Sequence, residues 1–100
     1  MRMWKINVRK MCRQHLLGEH VEMHMFVGCI NKGKCIDGYL NGLVEIHNIK
    51  KRHDQIAKEI ERRGFKHNSP LPKYKKKKLG KVSIKNNIKE LRKRCKKCKL

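Results

Sequence analysis

The chain has 100 residues, of which 28 are Lys or Arg and eight are Asp or Glu, so its formal net charge at pH 7 is +20. A chain of this length has room for one domain with a modest hydrophobic core. It contains no apolar run of the roughly 18 residues that would indicate a membrane span, and no signal-peptide pattern. So much positive charge favours a polyanion as the binding partner, and nucleic acid is the first candidate.

The charge is unevenly distributed along the chain. Residues 66–100 carry 15 of the 28 basic residues but only one of the eight acidic residues. We therefore predict a folded helical domain over residues 1–68, a linker over residues 69–74, and a basic tail with a possible amphipathic helix over residues 75–100. The predicted fold class is all-α: a small compact helical domain with a basic C-terminal extension.

The first predicted helix lies between residues 8 and 30. Apolar side chains recur there at alternating steps of three and four residues, which is the spacing of one buried helical face. A second strip of the same helix, which we expect to lie beside the core and not within it, carries His15, Glu19, Glu22 and Phe26.

Residues 31–42 combine three glycines with asparagine and aspartate, a composition typical of a loop. An isoleucine-rich helix follows, and Gly64 marks its end just beyond two arginines in its last turn. Pro70 and Pro72 favour extended backbone in the linker. Ser83 is a possible N-cap of a final helix, whose apolar face would run on to Cys95 and Cys98.

The five cysteines form no recognisable disulfide framework, so we expect reduced thiols in an intracellular protein. A zinc site that joins Cys95 and Cys98 to Cys29 and Cys35 is an alternative. It is disfavoured because five residues, and not two, separate the second pair. No metal site is predicted.

Three blocks of residues resemble a known family. They are Met3–Val8, Gln14–Met23 with its Gln-His-Leu-x-x-Glu-x-x-Glu pattern, and Ile49–Phe65. Over about residues 3–70 the chain resembles the phage-type endonuclease V family, the pyrimidine-dimer DNA glycosylases with associated abasic-site lyase activity. The resemblance implies a compact helical protein that flips a nucleotide out of damaged duplex DNA.

In the chemistry that this resemblance implies, an amine attacks the sugar C1′ to form an imine, and β-elimination can then cut the strand. Glu22 matches the family's catalytic carboxylate, which would stabilise the cationic sugar and move protons. The nucleophile is either the α-amine of Met1, which Arg2 should leave unprocessed, or the side chain of Lys5. An α-amine is intrinsically better, because its pKa of roughly 7.7–8.0 lies below lysine's roughly 10.4. No cofactor is required.

DNA contacts are expected from basic and histidine side chains of the folded domain. The candidates are Arg2, Arg9, Arg13, His15, His24, Lys50, Lys51 and Arg52. The lysines of the tail should add salt-sensitive affinity without sequence specificity. We expect a monomer that binds damaged double-stranded DNA inside the cell and does not bind membranes.

Two other functions stay open. Glu19 and Glu22 could simply pair with neighbouring cations, in which case the protein would be a noncatalytic nucleic-acid-binding or packaging protein on the same scaffold. A zinc-stabilised RNA-binding protein is a third possibility, and it rests only on the cysteines and the basic charge. Of the two acids, Glu22 is the catalytic candidate and Glu19 the structural neighbour.

Overall fold

Three α-helices form the framework in a computed structural model that describes all 100 residues. They are α1 (Arg13–Asn31), α2 (Ile49–Arg62) and α3 (Ile84–Arg94). The only β-type pairing is an isolated bridge between Asn41 and Lys81. The all-α prediction is confirmed. None of the three helices combines the length and the apolar character needed to cross a membrane.

Helix α1 begins later than the sequence pattern suggested. A short 3₁₀ turn occupies Val8–Lys10, and Cys12 is the N-cap of α1. Glu19 and Phe26, which we expected beside the core, are both fully buried. That part of the prediction was wrong because the protein covers α1 on two sides: Arg52 of α2 covers Glu19, and a hydrophobic cluster encloses Phe26.

The end of α2 follows the sequence signals closely. Gly64 adopts a left-handed conformation with φ of +90°. Its N–H donates to the carbonyl of Glu61 at 2.9 Å, and the N–H of Phe65 donates to the carbonyl of Ile60 at 3.1 Å. These two bonds are those of the Schellman motif, which satisfies carbonyls that the helix leaves unpaired. The predicted helix end is confirmed.

The core consists of two hydrophobic clusters of eight buried residues each. The first cluster lies around the C-terminal half of α1 and the start of α2 and contains Met3, Met23, Phe26, Val27, Ile36, Val44, Ile46 and Ile49. The second cluster lies around the start of α1 and the end of α2 and contains Trp4, Ile6, Met11, Leu16, Ile56, Ile60, Leu91 and Cys98. Residues of the N-terminal segment take part in both clusters.

A buried ion pair joins α1 to α2 between these clusters. Glu19 is 0% exposed and Arg52 is 4% exposed. Nε and Nη2 of Arg52 donate to the two carboxylate oxygens of Glu19, the second at 2.9 Å. Nη1 of Arg52 donates to the carbonyl of Ile6 at 2.8 Å. The Arg52 guanidinium therefore links α2, on which it lies, to α1 and to the N-terminal segment.

Helix α3 packs onto the N-terminal segment. The Ser83 side chain accepts a hydrogen bond from the N–H of Asn86, which confirms the predicted N-cap. Leu91 is fully buried in the second cluster. The helix ends at Arg94, so Cys98 is not part of its apolar face as predicted and is instead buried beyond it, where the chain turns back toward α1.

Gly80 is required where the segment before α3 passes the main chain of Val44. Its φ is +93°, and an added Cβ would lie 2.0 Å from the Val44 carbonyl oxygen. The same segment is held by Tyr74, whose hydroxyl donates to the carbonyl of Ile46 at 2.9 Å. The long connection between α2 and α3 is therefore fixed to the domain without helical structure of its own.

Four histidines meet between α1, α2 and the following segment, and only His20 and His24, which are four residues apart on α1, are paired in the sequence. The four are His20, His24, His53 and His67, with ring centroids about 5 Å apart. Nε2 of His20 lies 2.9 Å from Nε2 of His67, so at least one of the two rings must be neutral. Burial and the neighbouring imidazoles lower the pKa of His20 from 6.5 to about 4.

Removal of one partner of the buried ion pair should strongly destabilise the protein. We expect Glu19→Gln to lower the free energy of unfolding by about 3–5 kcal/mol, because the Arg52 charge would stay buried without its counterion. Glu90→Gln breaks the exposed pair between Glu90 and Arg94 and should cost about 0–1 kcal/mol. Urea denaturation measures both values, and equal losses would contradict this role of Glu19.

Acidification should destabilise the protein through His20. Between pH 6.5 and about pH 4 the unfolded state binds a proton at this residue and the folded state does not, so the free energy of unfolding falls as the pH is lowered. Denaturation of His20→Gln over the same range should give a shallower pH dependence. An unchanged slope in the variant would show that His20 has no part in the effect.

Candidate active site

The N-terminal amine lies beside the carboxylate of Glu22. The distance from the Met1 nitrogen to Oε1 of Glu22 is 4.0 Å, and the two side chains are 15% and 29% exposed. Glu22 extends from the middle of α1, three residues after the buried Glu19. The structure thus places an amine and a carboxylate together at a position that solvent can reach.

Main-chain contacts hold the N-terminal segment against the domain. The N–H of Met3 donates to the carbonyl of Leu43 at 2.7 Å. The Asn87 side-chain amide donates to the carbonyls of Met3 and Trp4 at 3.1 and 2.8 Å. These bonds, together with the bond from Arg52 to Ile6, fix the first residues of the chain and so fix the amine relative to α1.

The pKa of the Glu22 carboxyl lies above its ordinary value of 4.5. Burial is the largest cause, and the negative charge of Glu19 acts in the same direction. The positive N-terminus opposes the shift. A carboxyl with a raised pKa exchanges protons closer to neutral pH, which suits general acid–base chemistry.

Glu22 lies on an open cleft of about 470 Å³ between α1, the N-terminal segment and the end of α3. Its lining residues are Trp4, Gln14, His15, Gly18, Glu19, Val21, Glu22 and Arg94. The guanidinium carbons of Arg2 and Arg94 lie 4.7 and 5.6 Å from the Trp4 ring centroid. The cleft therefore combines a carboxylate with amide, imidazole and guanidinium groups.

Lys5, the other candidate amine, lies in a hollow distinct from the Glu22 cleft and forms an ion pair with Glu45. Its Nζ donates to Oε1 of Glu45 at 2.8 Å. Burial raises the pKa of Glu45, but hydrogen bonds from Lys5, Asn48 and the N–H of Val82 outweigh this effect and hold the pKa below its usual value. The hollow beside Lys5 is lined by Met3, Asn48, Lys51, Arg52, Gln55 and Ile84 and shares no residue with the Glu22 cleft.

The eight predicted DNA-contact residues fall into two groups. The exposed ones are Arg9, Arg13, Lys50 and Lys51. The others are buried or partly buried and have partners within the protein. Arg2 bonds to Asn87, His15 contacts Cys12, His24 contacts the carbonyl of Ser69, and Arg52 is buried against Glu19.

Two residues of α3 that the sequence analysis missed help to build the site. Asn87 positions the N-terminal segment, and Arg94 lines the cleft. Asn87 occupies a position on the apolar face that also carries Leu91, and a polar residue on such a face was the signal that could have identified it.

The fold and this site define a small, strongly basic helical protein with an amine and a carboxylate side by side at its N-terminus. A family model described as pyrimidine dimer DNA glycosylase matches residues 1–73. The chain belongs to this family, which confirms the resemblance and makes DNA its substrate class. Neither a curated protein nor a solved structure matches the chain.

The proximity of the Met1 amine should be measurable in the titration of Glu22. In an NMR titration we expect the Glu22 carboxyl to titrate above pH 4.5, and acetylation of the N-terminus to raise its pKa further, because the opposing positive charge is removed. Glu59, whose pKa is lowered to about 2 by Arg62 and Arg63, is the internal control and should not respond. A Glu22 pKa that is insensitive to acetylation would contradict the observed proximity.

Proposed function

We propose that this protein is a pyrimidine-dimer DNA glycosylase with abasic-site lyase activity, and that the α-amine of Met1 is its nucleophile. The observation that carries the proposal is the 4.0 Å separation between the Met1 nitrogen and Oε1 of Glu22, a residue that lines an open cleft. Family membership supplies the DNA substrate, and the amine–carboxylate pair supplies the groups that imine chemistry needs.

The proposed reaction uses the two groups in succession. The neutral amine forms a bond to the sugar C1′ as the bond from C1′ to the base breaks, and the base leaves with the electron pair and takes up a proton. The attacking nitrogen, now an ammonium, loses a proton, and its lone pair then opens the sugar ring, so that O4′ accepts a proton and a protonated imine remains. Loss of a proton from C2′ finally expels the 3′ phosphate. Glu22 would stabilise the cationic stages and carry the protons at O4′ and C2′.

Met1 is the preferred nucleophile over Lys5 because of their different surroundings. Attack requires a neutral amine that is free to reach the sugar. Nζ of Lys5 is held by the Glu45 carboxylate at 2.8 Å and is therefore not free to reach the sugar. The Met1 amine has only the more distant Glu22 as an acidic partner and starts from a lower intrinsic pKa.

We infer that the protein binds damaged double-stranded DNA as a monomer through its exposed basic residues. Arg9, Arg13 and Lys51 are available for phosphate contacts, as are the exposed lysines 75–78, whereas Lys50 is exposed but paired with Asp54 at 2.7 Å. Arg52 is left out of this set because its guanidinium is committed to Glu19 and Ile6. Binding through phosphates should weaken steeply as salt is added.

Borohydride trapping on duplex DNA with an abasic site or a cyclobutane dimer tests the enzyme directly. The unmodified protein should give a covalent adduct, and Glu22→Gln should form it at least about 100-fold more slowly, since a positioned proton-transfer group contributes about 10²–10⁴-fold. Glu61→Gln, at an exposed position of α2, is the matched control and should retain the full rate.

Further results distinguish Met1 from Lys5 as the nucleophile, and the enzyme from a noncatalytic binding protein. N-terminal acetylation should abolish trapping, whereas Lys5→Gln should still form the adduct. Salt-sensitive binding without any adduct or cleavage would contradict the enzyme and favour the noncatalytic nucleic-acid-binding function.

A further inference from the structure

A cluster of three thiols and one imidazole joins the start of α1 to the C-terminal end of the chain. Its members are Cys12, His15, Cys95 and Cys98, and their potential ligand atoms all lie within 4.8 Å of one another. All the cysteines are free thiols in the structure. The alternative zinc set considered from sequence is not formed, since Cys29 packs on the first hydrophobic cluster and Cys35 is exposed.

We propose that Cys12, His15, Cys95 and Cys98 bind one structural Zn²⁺ ion. The order Cys-x-x-His followed by Cys-x-x-Cys supplies two short-spaced ligand pairs, as structural zinc sites do. A Cys₃His set is closed, because four protein ligands leave no position for substrate. The mixture of thiolate and imidazole favours zinc over Mg²⁺ or Ca²⁺, which prefer oxygen ligands.

Three of the six distances within the cluster lie within about 0.5 Å of those in a tetrahedral zinc site. With zinc–sulfur bonds of about 2.3 Å and zinc–nitrogen bonds of about 2.0–2.1 Å, tetrahedral geometry requires sulfur atoms about 3.8 Å apart and sulfur–nitrogen distances of about 3.6 Å. The Sγ atoms of Cys12 and Cys95 lie 3.7 Å apart. Nδ1 of His15 lies 3.2 Å from Sγ of Cys12 and 4.0 Å from Sγ of Cys98.

A main-chain donor and three basic side chains accompany the cluster. The main-chain N–H of Cys12 donates to Sγ of Cys98 at 3.1 Å, a contact of the kind that orients metal-bound sulfur. Three thiolates and one Zn²⁺ would carry a net charge of −1. Arg13, Lys96 and Lys97 lie between the paired ligands in the sequence and would offset that charge.

Zinc binding would release three protons, one from each cysteine. Zn²⁺ would form one bond to each of the three sulfurs, each cysteine thiol would release its proton to solvent, and neutral His15 would use the lone pair of Nδ1 while its proton stays on Nε2. The metal would then link Cys12 to Cys95 and Cys98 across more than 80 residues. It would hold the chain end in the place where the N–H of Lys99 already donates to the carbonyl of Lys10 at 2.7 Å.

The zinc site adjoins the candidate active site, because His15 also lines the Glu22 cleft. Its zinc would be structural and would take no part in imine formation. With its Nδ1 bound to zinc, His15 would not be free for the DNA contact expected from the sequence.

Metal analysis of the full-length protein, produced without a polyhistidine tag in zinc-containing medium, tests the site. We expect one zinc per chain by elemental mass spectrometry. Cys95→Ser should lower the zinc affinity at least about 100-fold, since loss of an outer-sphere partner alone costs about 10–100-fold. Cys35→Ser removes an exposed cysteine outside the cluster and should keep one zinc.

Cobalt substitution gives a second readout that needs no variant. Co²⁺ in the unmodified protein should show the intense visible bands of tetrahedral coordination and a thiolate-to-cobalt charge-transfer band in the near ultraviolet. Added zinc should remove both.

Three results would overturn the site. The first is a protein that binds no zinc although all five thiols are free. The second is a Cys12–Cys95 disulfide in the purified protein. The third is zinc that stays bound in Cys95→Ser but is lost in His53→Gln. The last result would locate the metal in the histidine group of His20, His24 and His53.

Discussion

The bidentate ion pair between Glu19 and Arg52 is the contact on which the arrangement of the molecule depends. It lies where α1 and α2 cross, between the two hydrophobic clusters, and both partners are almost completely buried. A buried charge is costly unless its hydrogen bonds are satisfied. Arg52 satisfies this condition by binding Glu19 and also the carbonyl of Ile6. The same guanidinium therefore sets the helix crossing and the path of the N-terminal segment, and through that path it sets the position of the Met1 amine.

Four glutamates near the core differ in their burial and in their ion-pair partners, and this difference distinguishes Glu22 of the candidate active site. Glu19, Glu45 and Glu59 are each buried and each bound by a lysine or arginine side chain. Glu22 is partly exposed, and its one ion-pair partner is the N-terminal amine. Asp37 and Glu61 also lack a lysine or arginine partner, but both are exposed, so Glu22 is the one partly buried acid without such a partner. Glu19 and Glu22 belong to one strip of α1 in sequence, yet burial and partners separate a structural residue from a reactive one.

Local signals in the sequence were sufficient for the three helices, for the end of α2 and for the start of α3. Gly64 after two arginines and Ser83 before an amphipathic stretch act within one helical turn, and the structure confirms both. The partners of Arg52 and Lys5 could not be predicted, because Glu19 and Glu45 are 33 and 40 residues away. The cysteine cluster shows the same limit. Its two short pairs are visible in the sequence, but only the return of the chain end past α1 brings Cys12 to Cys98. Glu22 was identified from family resemblance, and the structure adds the amine beside it.

The most direct test of this account is to locate the sugar on the protein after trapping. The borohydride-reduced adduct with abasic-site DNA can be digested with nuclease and protease and mapped by tandem mass spectrometry. The structure predicts that the deoxyribose remnant is attached to the α-nitrogen of Met1, where the amine meets Glu22. Attachment to Nζ of Lys5 would contradict the account, because the reacting amine would then be the one that the structure binds to Glu45.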